Sequence, residues 1–318
     1  MNISRHYSRV ILWLSVLGLY MPVFAQDPSV LPIKPAFKVG DVFTVLTEKH
    51  RSTTRNGITG PAPTIQWESV VEVLELIDRG YVIAWTRGEA RLEPPQQLPP
   101  SLAVIMDIWN NARFELIVSP EGIIVDIRNY KELSEKLEQT IIHTQNLMAS
   151  SNTDTAATRQ AIEVVKQMLA DRSTGVPMLI KDIAGMYGFY GRELELNGQT
   201  QYDIELPNPF GGSPIPANET WEFIGWSDDQ KTAKFSMTQE IDKERFEDSL
   251  ELMLKKFTPG EITQKQQMIK AAQSTKIKTT GQLAYESETG RITTVYIRRE
   301  ISAGNSGRTE TWKWTLIE

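Results

Sequence analysis

The stretch "RFELIVSPEGIIVDIRNYKELSEKL", Arg113 to Leu137, decides the fold class. Phe114, Leu116 and Val118 share one face of a strand, and Ile123, Val125 and Ile127 share one face of a return strand. Between them, Pro120 and Glu121 suit the middle of a type I turn, and Gly122 suits the left-handed position that closes it. Tyr130, Leu133, Leu137 and Ile141 then recur at helical spacing. Asn129 is placed to cap that helix, with Glu132 as its capping-box partner. A hairpin that feeds a helix is the unit of an α+β fold.

The same pattern extends in both directions. Upstream, "FKVGDVFTVLTEKHR" alternates as a strand. "TIQWESVVEVLELIDRGYVIAWTRGEARLEPP" reads as a long hairpin, with Trp67, Val71 and Val73 on one face and Gly80 at the turn. The run from Leu102 to Trp109 fits a short helix or a buried strand equally well. Downstream, Ala161, Val164, Val165, Met168 and Leu169 stripe a second helix, with Thr153 or Asp154 as cap. "GMYGFYG" follows, with three aromatics among glycines. "RELELNGQTQYDIEL" is expected to be a hairpin with Asn197-Gly198 at its tip, and "PNPFGGSPIPANE" a loop. "TWEFIGWSDDQKTAKFSMTQEI" is another hairpin, and helices are expected from Asp242 to about residue 273. Three strands close the chain.

"SPEGIIVDI" is echoed by "SETGRITTVYI" (Ser287 to Ile297), and Trp67-Glu68 by Trp221-Glu222. One reading is a degenerate duplication of residues 37–190 and 191–318; the blander one is convergence on common turn chemistry.

The N-terminus carries Arg5 and Arg9, then an apolar run from Val10 to Tyr20, then Val23-Phe24-Ala25. This is the layout of a signal peptide over residues 1–25, cleaved before Gln26. A Pro-rich lead-in over 26–36 precedes a single α+β domain over 37–318. The chain has no cysteine, so an exported form rests on its core and not on disulfides. No later segment is apolar enough to span a bilayer as a helix. Removal of 25 residues from 318 leaves a chain of 293, and the loss of two arginines takes the net charge from −6 to −8. That balance argues against nucleic acid as a main partner.

The chemistry-bearing motifs are sparse. His50 and His143 are the histidines outside the leader, and two histidines without cysteine do not make the usual closed zinc site. No metal and no cofactor is expected. There is no nucleophile elbow, Walker run or dinucleotide fingerprint. Acid pairs occur at Asp228-Asp229, Glu247-Asp248 and Glu286 with Glu288, and a hydrolase would need one pair to converge in a cleft. The aromatic segments are the better lead. Tyr187, Phe189 and Tyr190 would form a lid, and Trp312 and Trp314, which share a strand face, would line the floor of an apolar cavity between sheet and helices. Against that stands ordinary core packing, where large aromatics concentrate.

In "FKVGDVFTV", the two Ser-x-x-Gly hairpins and the closing strands, the chain resembles the uncharacterised β-rich exported proteins found in many bacteria. It is also similar, more faintly, to periplasmic lipoprotein carriers, whose half-open antiparallel barrel is closed by helices over an apolar cavity. The expected architecture is an α+β fold: an extensive antiparallel sheet, curved like a half-barrel, with helical blocks near 128–190 and 242–273. The expected role is a non-enzymatic periplasmic or secreted protein that holds an apolar small molecule or lipid. An envelope-protein interaction module and a carboxylate hydrolase are the alternatives.

Overall fold

The computed structural model describes residues 29–60, 62–95, 109–150, 163, 166–167, 169–206, 215–242, 244–245, 275–303 and 305–317. The expected leader, the run from 102 to 108 and all but Asp242, Glu244 and Arg245 of the helical block expected over 242–273 lie outside them. So do Ala161, Val164, Val165 and Met168 of the second helical stripe, and its caps.

The described elements run in this order: β1 (Val30–Ile33), β2 (Val42–Arg55), β3 (Ile58–Thr59), β4 (Thr64–Ile77), β5 (Gly80–Arg87), β6 (Arg91–Glu93), β7 (Arg113–Val118), β8 (Ile124–Ile127), α1 (Tyr130–Ser150), α2 (Arg172–Leu179), α3 (Lys181–Tyr187), β9 (Arg192–Glu195), β10 (Gln199–Leu206), β11 (Ile215–Trp226), β12 (Thr232–Ile241), β13 (Thr275–Glu286), β14 (Arg291–Ala303) and β15 (Ser306–Ile317). Thirteen strands make one antiparallel sheet, along the path β10-β11-β12-β13-β14-β15-β2-β4-β5-β7-β8, with β3 and β6 beside β2 and β4. The fold is therefore α+β and mostly strand, as the alternating runs predict. The join that local signals do not announce is β15 to β2, which sets Trp314 opposite Thr47 and Leu316 opposite Val45.

The longer strands of the sheet give alternate residues to the face that meets the helices. Phe43, Val45, Val71, Ile83, Trp85, Phe114 and Leu116 come from one half, and Trp221, Phe235, Leu283, Val295 and Trp314 from the other. Tyr130, Leu133 and Leu137 of α1, Leu179 of α2 and Ile183, Met186 and Tyr187 of α3 complete the same core. Each such side chain contributes about 1.5–3 kcal/mol on full burial.

The core has a polar border. Tyr202, Glu219, Gln239, Thr279, Arg299, Glu310 and Arg51 stand in register across seven adjacent strands. Glu219 is 1 % exposed. Its carboxylate accepts from Trp221 Nε1 at 2.8 Å and Gln239 Nε2 at 2.7 Å, and pairs with Arg192 at 2.9 Å. Glu310, also buried, pairs with Arg308 and, at 3.8 Å, with Arg51. Beyond this row lies a smaller cluster of Leu206, Ile215, Ala217 and Ile277.

Four local expectations are corrected. The Asn197-Gly198 segment does not close a hairpin ladder: β9 pairs with β1 in a separate two-stranded sheet, and β10 pairs with β11. Val30–Ile33 of the lead-in pairs with one edge of β9, and on the other edge the Glu193 and Glu195 amides donate to the Tyr202 and Thr200 side-chain oxygens and not to the β10 backbone. β9 and β10 are tied through side chains instead, the Tyr202 hydroxyl donating to Glu193 O at 2.8 Å. Residues 215–219 of the expected loop belong to β11. The return strand of the opening hairpin carries a bulge, so Val118 pairs with Ile124 while Ile117 pairs with Asp126. That extra residue leaves Ile123 and Val125 exposed and only Ile127 in the core. Asn129 does not cap α1 with its side chain; it splints β7, accepting from Glu115 N and donating to Arg113 O.

Candidate functional site

The two Ser-x-x-Gly turns meet at Tyr190. Gly122 takes φ +93° and closes its turn by donating to Ser119 O at 2.9 Å. A Cβ there would lie 2.5 Å from Tyr190 Cβ and Cγ. The Tyr190 hydroxyl donates to Gly290 O at 3.1 Å, at the end of the second turn, and accepts from Ile292 N at 3.3 Å. The lead-in passes between: Pro35 sits 2.8 Å from the same Gly122 position, and Gly290 abuts Ala36 N. Tyr190 thus fastens both halves and the lead-in together.

The glycine-spaced aromatics are therefore core, where the sequence suggested a lid. Tyr187, Phe189 and Tyr190 are each under 7 % exposed. Tyr187 packs edge-on against Trp85 and tilted on Tyr190, and Phe189 packs edge-on against Trp221. Burial pushes the Tyr187 and Tyr190 hydroxyls well above the ordinary tyrosine range. Gly185 serves the same packing, because a Cβ there would lie 2.3 Å from the Trp314 ring.

A cavity of about 190 Å³ opens beside this core, between α2–α3 and the strands β2, β4, β5 and β7. Trp67, Trp85, Trp109 and Phe114 are its aromatic walls; Thr47, Lys49, Arg87, Lys181 and Asp182 supply its polar groups. Strand alternation explains most of the placement. Thr47 faces Trp67, Trp85 faces Phe114, and Arg87 follows Trp85 on the same face. Asp182 stands in the first turn of α3.

The predicted residues sit around the cavity without lining it. Tyr187 backs Trp85. Trp314 donates from Nε1 to Asp182 O at 3.1 Å, behind the wall. Trp312 lies under Lys49, 6.0 Å from Nζ to the ring centre. Phe189 and Tyr190 are farther into the core. Sequence reasoning missed Lys49 and Arg87. The signal was clearest for Arg87, a cation on the strand face that carries Ile83 and Trp85, whereas Lys49 follows Phe43 and Val45 on its face with Thr47 between.

The electrostatics are unequal. Lys49 Nζ pairs with Asp182 Oδ1 at 3.0 Å. Arg87 sits over the Trp67 ring, 4.1 Å from guanidinium carbon to ring centre, a cation–π contact. Its buried Nε has no hydrogen-bond partner among the described residues, and neither has Thr47 Oγ1. Burial lowers the Arg87 pKa from its ordinary value, with the Asp182 charge opposing.

The remaining candidates are unremarkable. His143 is exposed on α1, and His50 pairs with Thr311 and Thr64 on the opposite face of the sheet. Asp228-Asp229 forms an exposed hairpin turn, where Asp229 accepts from Ser227 Oγ and Lys231 N. Glu247-Asp248 lies outside the described residues. No cluster of three potential metal ligands occurs among the described residues. No helix among them is long and apolar enough to cross a membrane.

No protein-family model and no curated protein matches the sequence, so the resemblance to an exported family has no matching family behind it. Among solved structures, one of lipovitellin, concerned with its lipid–protein interactions, is similar over 89% of this chain at 9% identity and a TM-score of 0.46. The chain spans 25% of that protein's length. An outer membrane channel from Pseudomonas putida F1 aligns over 89% of this chain and 98% of its own, at 7% identity and a TM-score of 0.18. Neither similarity is strong enough to bear on function.

Proposed function

We propose that this chain is an exported, non-enzymatic binding protein that holds an apolar or amphipathic ligand between its sheet and its helices. The observation that carries the reading is the cavity: four aromatic walls, with Thr47, Lys49, Arg87, Lys181 and Asp182 as the polar residues of its lining. Pockets with apolar walls and a few convergent polar groups are the common form of a small-molecule site. The leader-like N-terminus supports export. Titration calorimetry with toluene tests the reading, because an apolar cavity of about 150 Å³ is enough to admit benzene. Toluene should bind the wild type, and Met178→Trp, which fills the cavity from α2, should abolish binding while the far-UV spectrum stays unchanged. No heat with the wild type, or equal heat with both, would defeat it.

An envelope-interaction module is the second reading. It is favoured by β8, an edge strand beside which Ile123 and Val125 are 52 % and 60 % exposed. Site-specific cross-linking from position 125 in cells tests it: capture of an envelope protein supports this reading, and an uncross-linked chain counts against it.

A further inference from the structure

We infer that the cavity selects a small aromatic carboxylate, with its ring between the tryptophans and its anionic group against Arg87. This rests on the binding reading above and narrows it to one chemical class.

Size sets the first limit. At about 190 Å³ the cavity exceeds the roughly 150 Å³ that holds benzene by about one water's share of liquid volume. One ring and one small substituent fit within it; a fused polycycle or a full acyl chain would extend out through its open side.

The walls set the second. Trp109 and Phe114 are stacked 6.0 Å apart, and Trp85 is held edge-on by Tyr187. These rings are fixed by the core behind them, and a planar ring gains more from such walls than a branched chain of equal volume.

Charge sets the third. Lys49, Arg87 and Lys181 line the cavity with one carboxylate, Asp182, which already pairs with Lys49. The lining therefore carries an excess of two positive charges. Arg87 is the half-buried cation of this lining, its guanidinium carbon 4.1 Å from the centre of the Trp67 ring. A cationic ligand would add to the excess, and a neutral one would leave it standing. A carboxylate offers two acceptor oxygens in the plane that a guanidinium fork matches.

Calorimetry on the mature chain at low ionic strength, with benzoate, benzamide and benzamidine, separates these effects at nearly constant shape. Benzoate should bind at least tenfold tighter than benzamide, and benzamidine should give no detectable heat. Arg87→Met keeps an unbranched stem on Trp67 and removes the charge, so it should bring benzoate down to the affinity of benzamide. Benzamide binding as tightly as benzoate, or a benzoate affinity untouched by Arg87→Met, would overturn the inference while leaving the binding reading intact. If neither benzoate nor toluene bound, both would fall. Should Arg87→Met fail to fold, the wild-type ratio of benzoate to benzamide still decides.

Discussion

Replacing Gly122 by alanine should destabilise the protein by about 2–5 kcal/mol, the sum of a backbone cost of about 1–2 for a left-handed residue and about 1–3 for overpacking. The backbone part follows from φ +93°. The packing part follows from a Cβ 2.5 Å from Tyr190 and 2.8 Å from Pro35 Cδ, atoms that cannot withdraw because Tyr190 is held at its other end by Gly290 and Ile292. Gly57 is the control. It takes φ +78° with nothing within 4 Å of its would-be Cβ, so Gly57→Ala should carry the backbone part alone. Urea unfolding reads both variants, with the slope expected to stay constant so that midpoints report stability. Tyr190→Gly removes both the Cβ and the Cγ that the new methyl would meet, so Gly122→Ala combined with Tyr190→Gly should cost less than the sum of the two single changes. Equal midpoints for Gly122→Ala and Gly57→Ala would refute the idea that the turn grips Tyr190.

Two further outcomes follow from buried polar groups. Burial raises the pKa of Tyr187, Tyr190 and Tyr285, so the unfolded chain ionises first, near pH 10; stability is complete below that pH and is lost as pH rises through the folded values. Urea midpoints should be flat from pH 8 to 9.5 and fall above about pH 10, and Tyr190→Phe should soften the fall; a flat profile to pH 11.5 would contradict the burial argument. Glu219→Ala strands Trp221 Nε1, Gln239 Nε2 and Arg192 at the polar border, and should cost about 3–5 kcal/mol, as broken buried charge pairs do. A loss under 1 kcal/mol in the same unfolding assay would show that the row is dispensable.

Much of the fold is legible because antiparallel sheet is written in short-range alternation and turn chemistry. Trp67, Val71 and Val73 on one face, Gly80 at one turn and Gly122 at another need no knowledge of distant chain. What resists is what depends on partners far away. Asn197-Gly198 is a strong local hairpin signal, yet β9 takes its ladder partner from Val30–Ile33 and β10 takes its own from β11. The bulge at Ile117/Val118 shifts two isoleucine–valine positions to the outside, which no count of alternating residues reveals. The site follows the same division. The sequence draws attention to the right neighbourhood, since Tyr187, Trp312 and Trp314 all back the cavity. It does not separate wall from backing, because both are aromatic. Lys49 and Arg87 are the discriminating residues: a cation on an inward strand face needs a reason, and only the packing of α2 and α3 over β2 and β5 supplies one.

The central claim, that the cavity between helices and sheet holds a ligand, is most directly tested by diffraction near the bromine edge from crystals soaked in 4-bromobenzoate. The account predicts an anomalous peak enclosed by Trp67, Trp85, Trp109 and Phe114, with the carboxylate toward Arg87. A saturating soak that leaves no peak there, or places it only elsewhere on the surface, would contradict it.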